Sequence, residues 1–504
     1  MAAVKAFREE MVTAGMGGAF ESEKFNDYDA RQVRYQILWA SYENTVYRNV
    51  HGWAQAYRNK YGLYKYIRNI YNPSYRLADF WKVMIWGGTL DPDAGEDGAI
   101  PIKVGKSANE ATLRMAISKL WELSNWDVNK GICTLRGAAL GDTAIKIADD
   151  REKGEVRLEL VHPETLKDVT TDKRGFVKDY EIVEERWLDN KKVTYRETAE
   201  RGEGESVIFR TYLNNNPYAW NGIAEEWEEN YGFIPLVTIQ HNNVGLDWGW
   251  SEAHPARSKI HELDDIASKL HDHIRKMVDP IWLFNFKKPT TTPAQSNSAA
   301  TTDRPEPGRE EIPSVYIDNP AAKAQALVAS ELNIDQVGHE IEKGLQELER
   351  DFPELQMDIW SASNDSSGKA MREARRKVET KVTERRPNYD KALVRAQQMA
   401  IAIAGMLGYE GFQGYDLASY RAGALDHRIA DRSAFKPDKS EILEEKKLFW
   451  EVVRAATDAG VTLETALADL DWDDSINAKK LATIKIQQED RVPTDPETGN
   501  PIEQ

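Results

Sequence analysis

Val104-Gly105-Lys106-Ser107 is the stretch of this chain nearest in type to a phosphate-binding loop. Such a loop cradles phosphates in backbone N–H groups and needs a glycine five positions ahead of the Gly-Lys pair, with a Ser or Thr hydroxyl for magnesium. Position 100 is Ile100; Gly98 is two residues out of register, and Pro101 and Lys103 occupy the loop. Ser367-Gly368-Lys369-Ala370 lacks the hydroxyl after lysine. No nucleotide site is expected at either place. His261, His271 and His273 lie close in sequence, but 261 and 271 are far in helical phase from 273, and no second cluster supplies cysteine or carboxylate at zinc spacing. These histidines are expected to face solvent or a neighbouring subunit. Carboxylates are plentiful, and a metal-dependent nuclease built from distant ones would leave no local signature. No catalytic, metal or cofactor residue is therefore assigned.

The elements that would position any site are clearest from Ser251 to Leu407. Ile260, Leu263, Ile266, Leu270 and Ile274 recur at steps of three and four, which predicts an amphipathic helix starting after Trp250-Ser251-Glu252-Ala253 and stopped by Asp279-Pro280. Over 251–278 it would span roughly 40 Å. Leu332, Ile334, Val337, Ile341, Leu345 and Leu348 predict a second such helix, ended by Phe352-Pro353. Taken alone, the two read first as a helical hairpin in an ordinary core. Between them, Ile281 to Phe286 reads as a strand with Val315-Tyr316-Ile317 as its partner. The intervening 287–311 is rich in Pro, Thr, Ser and Ala, a loop or extended arm by composition. After Ser361 to Gly368 a helix should start near Ser366 or Ser367. It carries Lys369, Arg372, Arg375, Arg376, Lys377, Lys381, Arg385 and Arg386, bends or restarts at Pro387, and continues apolar through Leu393, Met399, Ile401, Ile403, Met406 and Leu407.

Upstream, Tyr35, Trp39, Tyr42, Tyr57, Tyr64 and Tyr66 are interleaved with Arg48, Arg58, Lys60, Lys65 and Arg68. Aromatics among cations can stack on single-stranded nucleic acid, but this pattern also fits core packing of an amphipathic helix, which is the reading preferred. Between about 131 and 243 apolar and charged residues alternate in 143–147, 156–161, 180–183 and 207–212, which predicts a sheet with one wet face. Helices are expected over 441–459 and 463–470, with Ile442, Leu443, Leu448, Phe449, Val452 and Val453 on an apolar face, and a frayed tail from 492.

At 504 residues the chain is long enough for several domains. One cysteine, Cys133, excludes an internal disulfide framework and suits a reducing compartment. No apolar run is long enough to cross a bilayer and no signal peptide is visible. The net charge of -17 disfavours tight nucleic-acid binding, which rests on cations placed against phosphates. It suits a surface along which DNA slides without sticking, and it also suits simple solubility.

Taken in order, these pieces resemble the portal-protein family of tailed bacteriophages, of siphophage type. The resemblance rests on Tyr71-Asn72-Pro73 with Arg76 to Phe80 and Trp86-Gly87-Gly88, on Gly141-Asp142, His162-Pro163-Glu164 and Phe233 to Val237, on the helix pair with its insert, and on Ser367-Gly368-Lys369-Ala370 before a basic helix, a proline and an apolar helix. It implies an α+β subunit divided into an N-terminal region and wing (1–250), a stem helix (251–279), a clip (280–328), a second stem helix (329–350), a tunnel loop (351–366), a long kinked wing helix (367–408) and a helical crown with tail (409–504). It implies a ring of about twelve copies, since a repeated head-to-tail interface closes when its rotation divides the circle.

Such a ring would sit at one capsid vertex of the virion, assembled in the host cytoplasm with scaffold and major capsid protein. It would dock the terminase large subunit for DNA packaging, then bind the head-to-tail adaptor, and pass double-stranded DNA without sequence specificity, both inward and at genome ejection. It implies no enzyme activity, no cofactor and no membrane partner. Asn364, Asp365, Ser366 and Ser367 would form the DNA-channel loop; Lys287, Lys288, Arg304 and Arg309 would meet clip partners; Arg372, Arg375, Arg376, Arg385 and Arg386 are candidates for the subunit interface. An acidic crown would repel packaged DNA. Two other classes stay open: another phage head protein, such as a minor head protein or adaptor, which would share the acidic composition, and a metal-dependent nucleic-acid enzyme with dispersed carboxylates.

Overall fold

The computed structural model describes residues 25–47, 70–93, 98–220, 224–278, 281–284, 314–316, 325–327, 334–357, 368–435, 439–462 and 465. The chain is a mixed α+β protein and divides into two compact units, 1–434 and 435–504.

The first unit opens with α1 (Tyr28–Tyr42), capped by the Asp27 side chain, which accepts from the Ala30 N–H. Its aromatic and basic residues go into the core: Tyr35 is buried, and the guanidinium of Arg31 stacks 3.5 Å from the Trp248 ring while donating to the Leu166 and Lys167 carbonyls. Tyr57, Tyr64 and Tyr66 lie outside the described residues. Helix α2 (Pro73–Trp86) starts where Tyr71-Asn72-Pro73 predicts: Pro73 has no N–H to leave unpaired, and Asn72 Oδ1 accepts from the Tyr75 N–H. After β1 (Ile102–Val104) come α3 (Glu110–Leu123) and α4 (Trp126–Leu140), and then the strands: β2 (Asp142–Asp150), β3 (Glu155–Val161), β4 (Leu166–Thr171), β5 (Val177–Leu188), β6 (Lys191–Arg201), β7 (Val207–Leu213), β8 (Asn216–Pro217), β9 (Glu226–Glu229) and β10 (Leu236–Gln240).

Two sheets result. One is β10-β2-β3, antiparallel throughout; the other runs β4-β5-β6-β7-β8, with β9 also on β7. The β5–β6 hairpin turns through Asp189 and Asn190, both at positive φ, the backbone that a two-residue hairpin loop requires. The alternation read from sequence in 143–147, 156–161, 180–183 and 207–212 falls in β2, β3, β5 and β7, while β6 and the short strands carry too little apolar alternation to be read alone.

The helix pair follows. Residues 254–256 form a 3-10 turn, and the α-helix proper, α5, runs from Arg257 to Val278. It starts later than the 251–278 span taken from sequence because the preceding residues are tied elsewhere: the Glu252 N–H donates to the Ala138 carbonyl at 3.0 Å. Strand β11 (Ile281–Phe284) pairs in parallel with β12 (Ser314–Tyr316) and antiparallel with β13 (Gln325–Leu327), a third strand absent from the sequence reading. Helix α6 (Ile334–Asp351) then returns alongside α5. A Cβ on Gly344 would fall on the Leu263 side chain, 3.4 Å from its Cγ, so the two helices meet with only a hydrogen's breadth at that point. Leu348, Phe352 and Leu355 form one core with Leu77 of α2 and Ala256, against which Ala253 and Ile260 pack, so the same ends of both helices are anchored on α2.

Pro353–Gln356 is a second 3-10 turn, and α7 (Gly368–Met406) follows. This helix passes through Pro387 without a break, so no restart occurs. Its second half is held by burial: Leu393, Met399, Ala400, Ile401, Ala402, Ile403 and Ala404 are enclosed against β2, β3 and β10, which outweighs the hydrogen bond lost at one proline. Helix α8 (Leu417–Arg421) and β14 (His427–Ile429) close the unit, β14 pairing with β1. The Gly105 N–H donates to the Asp426 carbonyl at this pairing, so Val104-Gly105-Lys106-Ser107 is a strand end and turn.

In the second unit, α9 (Lys439–Asp458) accounts for the helix expected near 441–459; Leu443, Leu448 and Val452 are exposed and Val453 is buried. Residues 466–504 lie outside the described residues. No helix among the described residues is long and apolar enough to cross a membrane.

Candidate functional site

The ends of the helix pair, the turn after α6 and the basic half of α7 meet in one buried charged cluster. Glu252 precedes α5, Glu354 lies in the 3-10 turn, Lys381, Arg385 and Tyr389 stand one helical turn apart on α7, and His241 follows β10. Lys381 Nζ donates to Glu354 Oε1 at 3.0 Å and to Glu252 Oε1 at 3.3 Å, and Arg385 lies 3.7 Å from Glu252 Oε2. His241 Nε2 is 3.2 Å from Glu252 Oε2, and its Nδ1 is 2.7 Å from the Tyr389 hydroxyl.

Burial pushes His241 below its ordinary range, so it is neutral. The carboxylate can only accept, so the ring proton sits on Nε2 and the Tyr389 hydroxyl donates to Nδ1. Trp81 closes the site, its ring nearly perpendicular to that of His241 with the two centroids 5.3 Å apart.

The two carboxylates behave oppositely. Burial works to raise Glu252, but the His241 hydrogen bond and the charges of Lys381 and Arg385 override it and hold the group ionised. Glu354, whose side chain has no exposed surface, is raised to about 7: burial is the main cause, the Glu252 charge adds to it, and Lys381 only partly opposes. The pair therefore shares its proton as a unit. No residue in this cluster is a nucleophile set beside a free base; it can bind segments together and exchange a proton. The buried Cys133 is no nucleophile either, since burial pushes its thiol up to about 12.

A separate buried carboxylate joins the two sheets. Glu197 of β6 accepts from Lys146 Nζ of β2 at 2.5 and 2.6 Å, from the Tyr180 hydroxyl at 2.5 Å and from the Tyr195 hydroxyl. Burial opposes its charge, but Lys146 and the two tyrosines hold it below the ordinary glutamate range.

The candidate residues read from sequence separate into three groups. Asn364, Asp365, Ser366 and Ser367, and likewise Lys287, Lys288, Arg304 and Arg309, lie outside the described residues, as does the side chain of Arg372. Arg375 is half-buried and Arg376 is exposed. Arg385 and Arg386 are committed within the chain. Arg385 faces Glu252, and Arg386 donates to the Met84 carbonyl at 2.8 Å and to the Arg432 carbonyl, serving the free carbonyls at the C-terminal end of α2. Beside it Arg432 grips Asp390 through both carboxylate oxygens at 2.9 and 3.1 Å.

One of the histidines of α5 also departs from expectation. His261 does not face solvent or a neighbour: its Nδ1 meets the Tyr47 hydroxyl at 2.6 Å, and burial lowers it to about 3. His271 is exposed and His273 half-buried. Among the described residues no three His, Cys, Asp or Glu side chains come together in a way that could hold a metal ion.

Sequence reading missed Glu252, Glu354 and His241, whose partners are distant in the chain. The available signal was weak: a glutamate directly after the proline that ends α6, and a lysine on the face of α7 toward the core. No protein-family model matches the chain, and no curated protein matches it in sequence.

Proposed function

We propose that this chain is a portal subunit, one of a ring at a capsid vertex through which a phage genome is packaged and later released. The observation that carries the reading is the order of parts in space. Two antiparallel amphipathic helices, α5 and α6, pack side by side, are joined through an insert bearing a small three-stranded sheet, and are rooted together on α2. The chain then enters a 39-residue helix that crosses the β10-β2-β3 sheet.

That arrangement supports a stem pair with a clip between its helices, a tunnel-loop assignment for 351–366 between α6 and α7, and a wing built of α1–α4 with the two larger sheets. In this reading the insert meets the packaging motor and then the adaptor. The ring has about twelve copies closed by one repeated heterologous contact, and the protein's work is mechanical.

Electron microscopy of the purified chain, with a mass determination on the same sample, tests this. Closed rings with an open centre are expected. A chain that stays monomeric both alone and with its capsid and scaffold proteins would remove the portal reading.

A further inference from the structure

The turn at Pro353–Gln356 links α6 to the segment leading into α7, and what holds its polar side is unusual. Glu354 and Glu252 both lie within 3.3 Å of a single ammonium, Lys381 Nζ. Glu252 has further support from Arg385 and the His241 N–H, whereas Lys381 is the cation on Glu354.

Every packed element contributes to the setting: Lys381 and Arg385 from α7, Glu252 from the segment before α5, His241 behind it after β10, and Arg76 of α2, which donates to the Leu355 carbonyl at 2.5 Å. Asp351 at the end of α6 is taken up by Lys259 at 2.7 Å. The Lys381 ammonium also stands 5.0 Å from the centroid of the Phe352 ring, so it holds the start of the turn by both the ring before it and the Glu354 carboxylate. Two buried carboxylates competing for one ammonium are most at ease when one carries a proton.

We propose that this turn is a releasable catch, clamped beneath α7 while the Glu252/Glu354 pair holds one proton and loosened when that proton is lost. The inference concerns the single chain and does not rest on the portal reading. Its sign follows from linkage. The clamped state binds the proton more tightly than a solvent-exposed glutamate does, so clamping is favoured at lower pH and weakens as pH rises through neutrality. Glu354, not Glu252, is the group that turns out to water, because Glu252 keeps Arg385 and His241 whichever way the turn lies.

Hydrogen exchange on the full-length chain tests the catch, with each rate divided by the intrinsic rate at the same pH. Protection of the Phe352 and Leu355 amides, which donate to the Leu348 and Phe352 carbonyls, is expected to fall about tenfold from pH about 6 to about 8. In Glu354→Gln, which cannot lose a proton, protection should stay flat over that range. Lys381→Met, which removes the cation, should move the fall to higher pH. A flat wild-type profile, an undiminished fall in Glu354→Gln, or an unmoved midpoint in Lys381→Met would each overturn it.

Discussion

Gly137 of α4 and Tyr389 of α7 are in such close contact that a Cβ on the glycine would land on the phenol oxygen, 3.0 Å from Cζ. Tyr389 is fully buried, and that same hydroxyl donates to His241, so the glycine makes room for the residue that sets the orientation of the charged cluster.

Gly137→Ala should destabilise the protein by about 1–3 kcal/mol, the usual cost of overpacking, reduced by up to about 1 kcal/mol for alanine's better helix propensity. Denaturant unfolding of Gly137→Ala, Tyr389→Phe and the double variant checks the assignment. Removing the hydroxyl should relieve part of the clash, so the double variant should lose less than the sum of the singles.

Lys146→Met should cost about 3–5 kcal/mol, because it leaves Glu197 as a buried charge with only two phenols to satisfy it. The pH dependence should also change sign. In the wild type Glu197 lies below its ordinary range, so its contribution is present above that range and lost as the pH falls through its folded value. In Lys146→Met burial is no longer opposed by the ammonium, and the variant should recover stability toward wild type on acidification. Thermal unfolding of both proteins across about pH 4 to 8 reads this out.

His261 contributes stability as a neutral group. Its folded value of about 3 lies below the ordinary histidine range, so the contribution is complete above about pH 6.5 and declines as the pH falls toward 3. His261→Gln is expected to be less stable than wild type at neutral pH, where the ring packs on Tyr47, and to lose less on acidification. The difference between the two unfolding curves isolates this residue from Glu354 and Asp142, which are raised and act in the opposite direction.

Deleting residues 289–308 should leave the α5–α6 pair folded, since the packing that roots both helices lies at Leu77, Ala256, Leu348, Phe352 and Leu355, at the other end of the pair from the insert. Circular dichroism and unfolding should be close to wild type, while on the proposed portal reading binding to a packaging motor and adaptor should weaken. Unchanged packaging after the deletion would remove the clip assignment.

What the sequence by itself determined is periodic and local. Ile260, Leu263, Ile266 and Leu270 mark a helix because a 3.6-residue repeat puts them on one side, and Asn72-Pro73 marks a helix start because Pro73 needs no N–H partner there. The alternation in 156–161 marks a strand for the same kind of reason.

Only the tertiary structure decided which charges meet. Glu252, Glu354 and Lys381 sit on three separate segments, and no spacing in the chain encodes a shared ammonium. The basic run on α7 reads as an outward face, yet Arg385 and Arg386 point inward, because a buried glutamate and the open carbonyls at the end of α2 offer better partners than water does. Pro387 carries a local signal for a break, and the packing of the following residues on three strands overrides it. Local pattern sets which elements form; long-range burial sets which polar groups must find one another, because a charge withdrawn from water needs a partner wherever in the chain that partner lies.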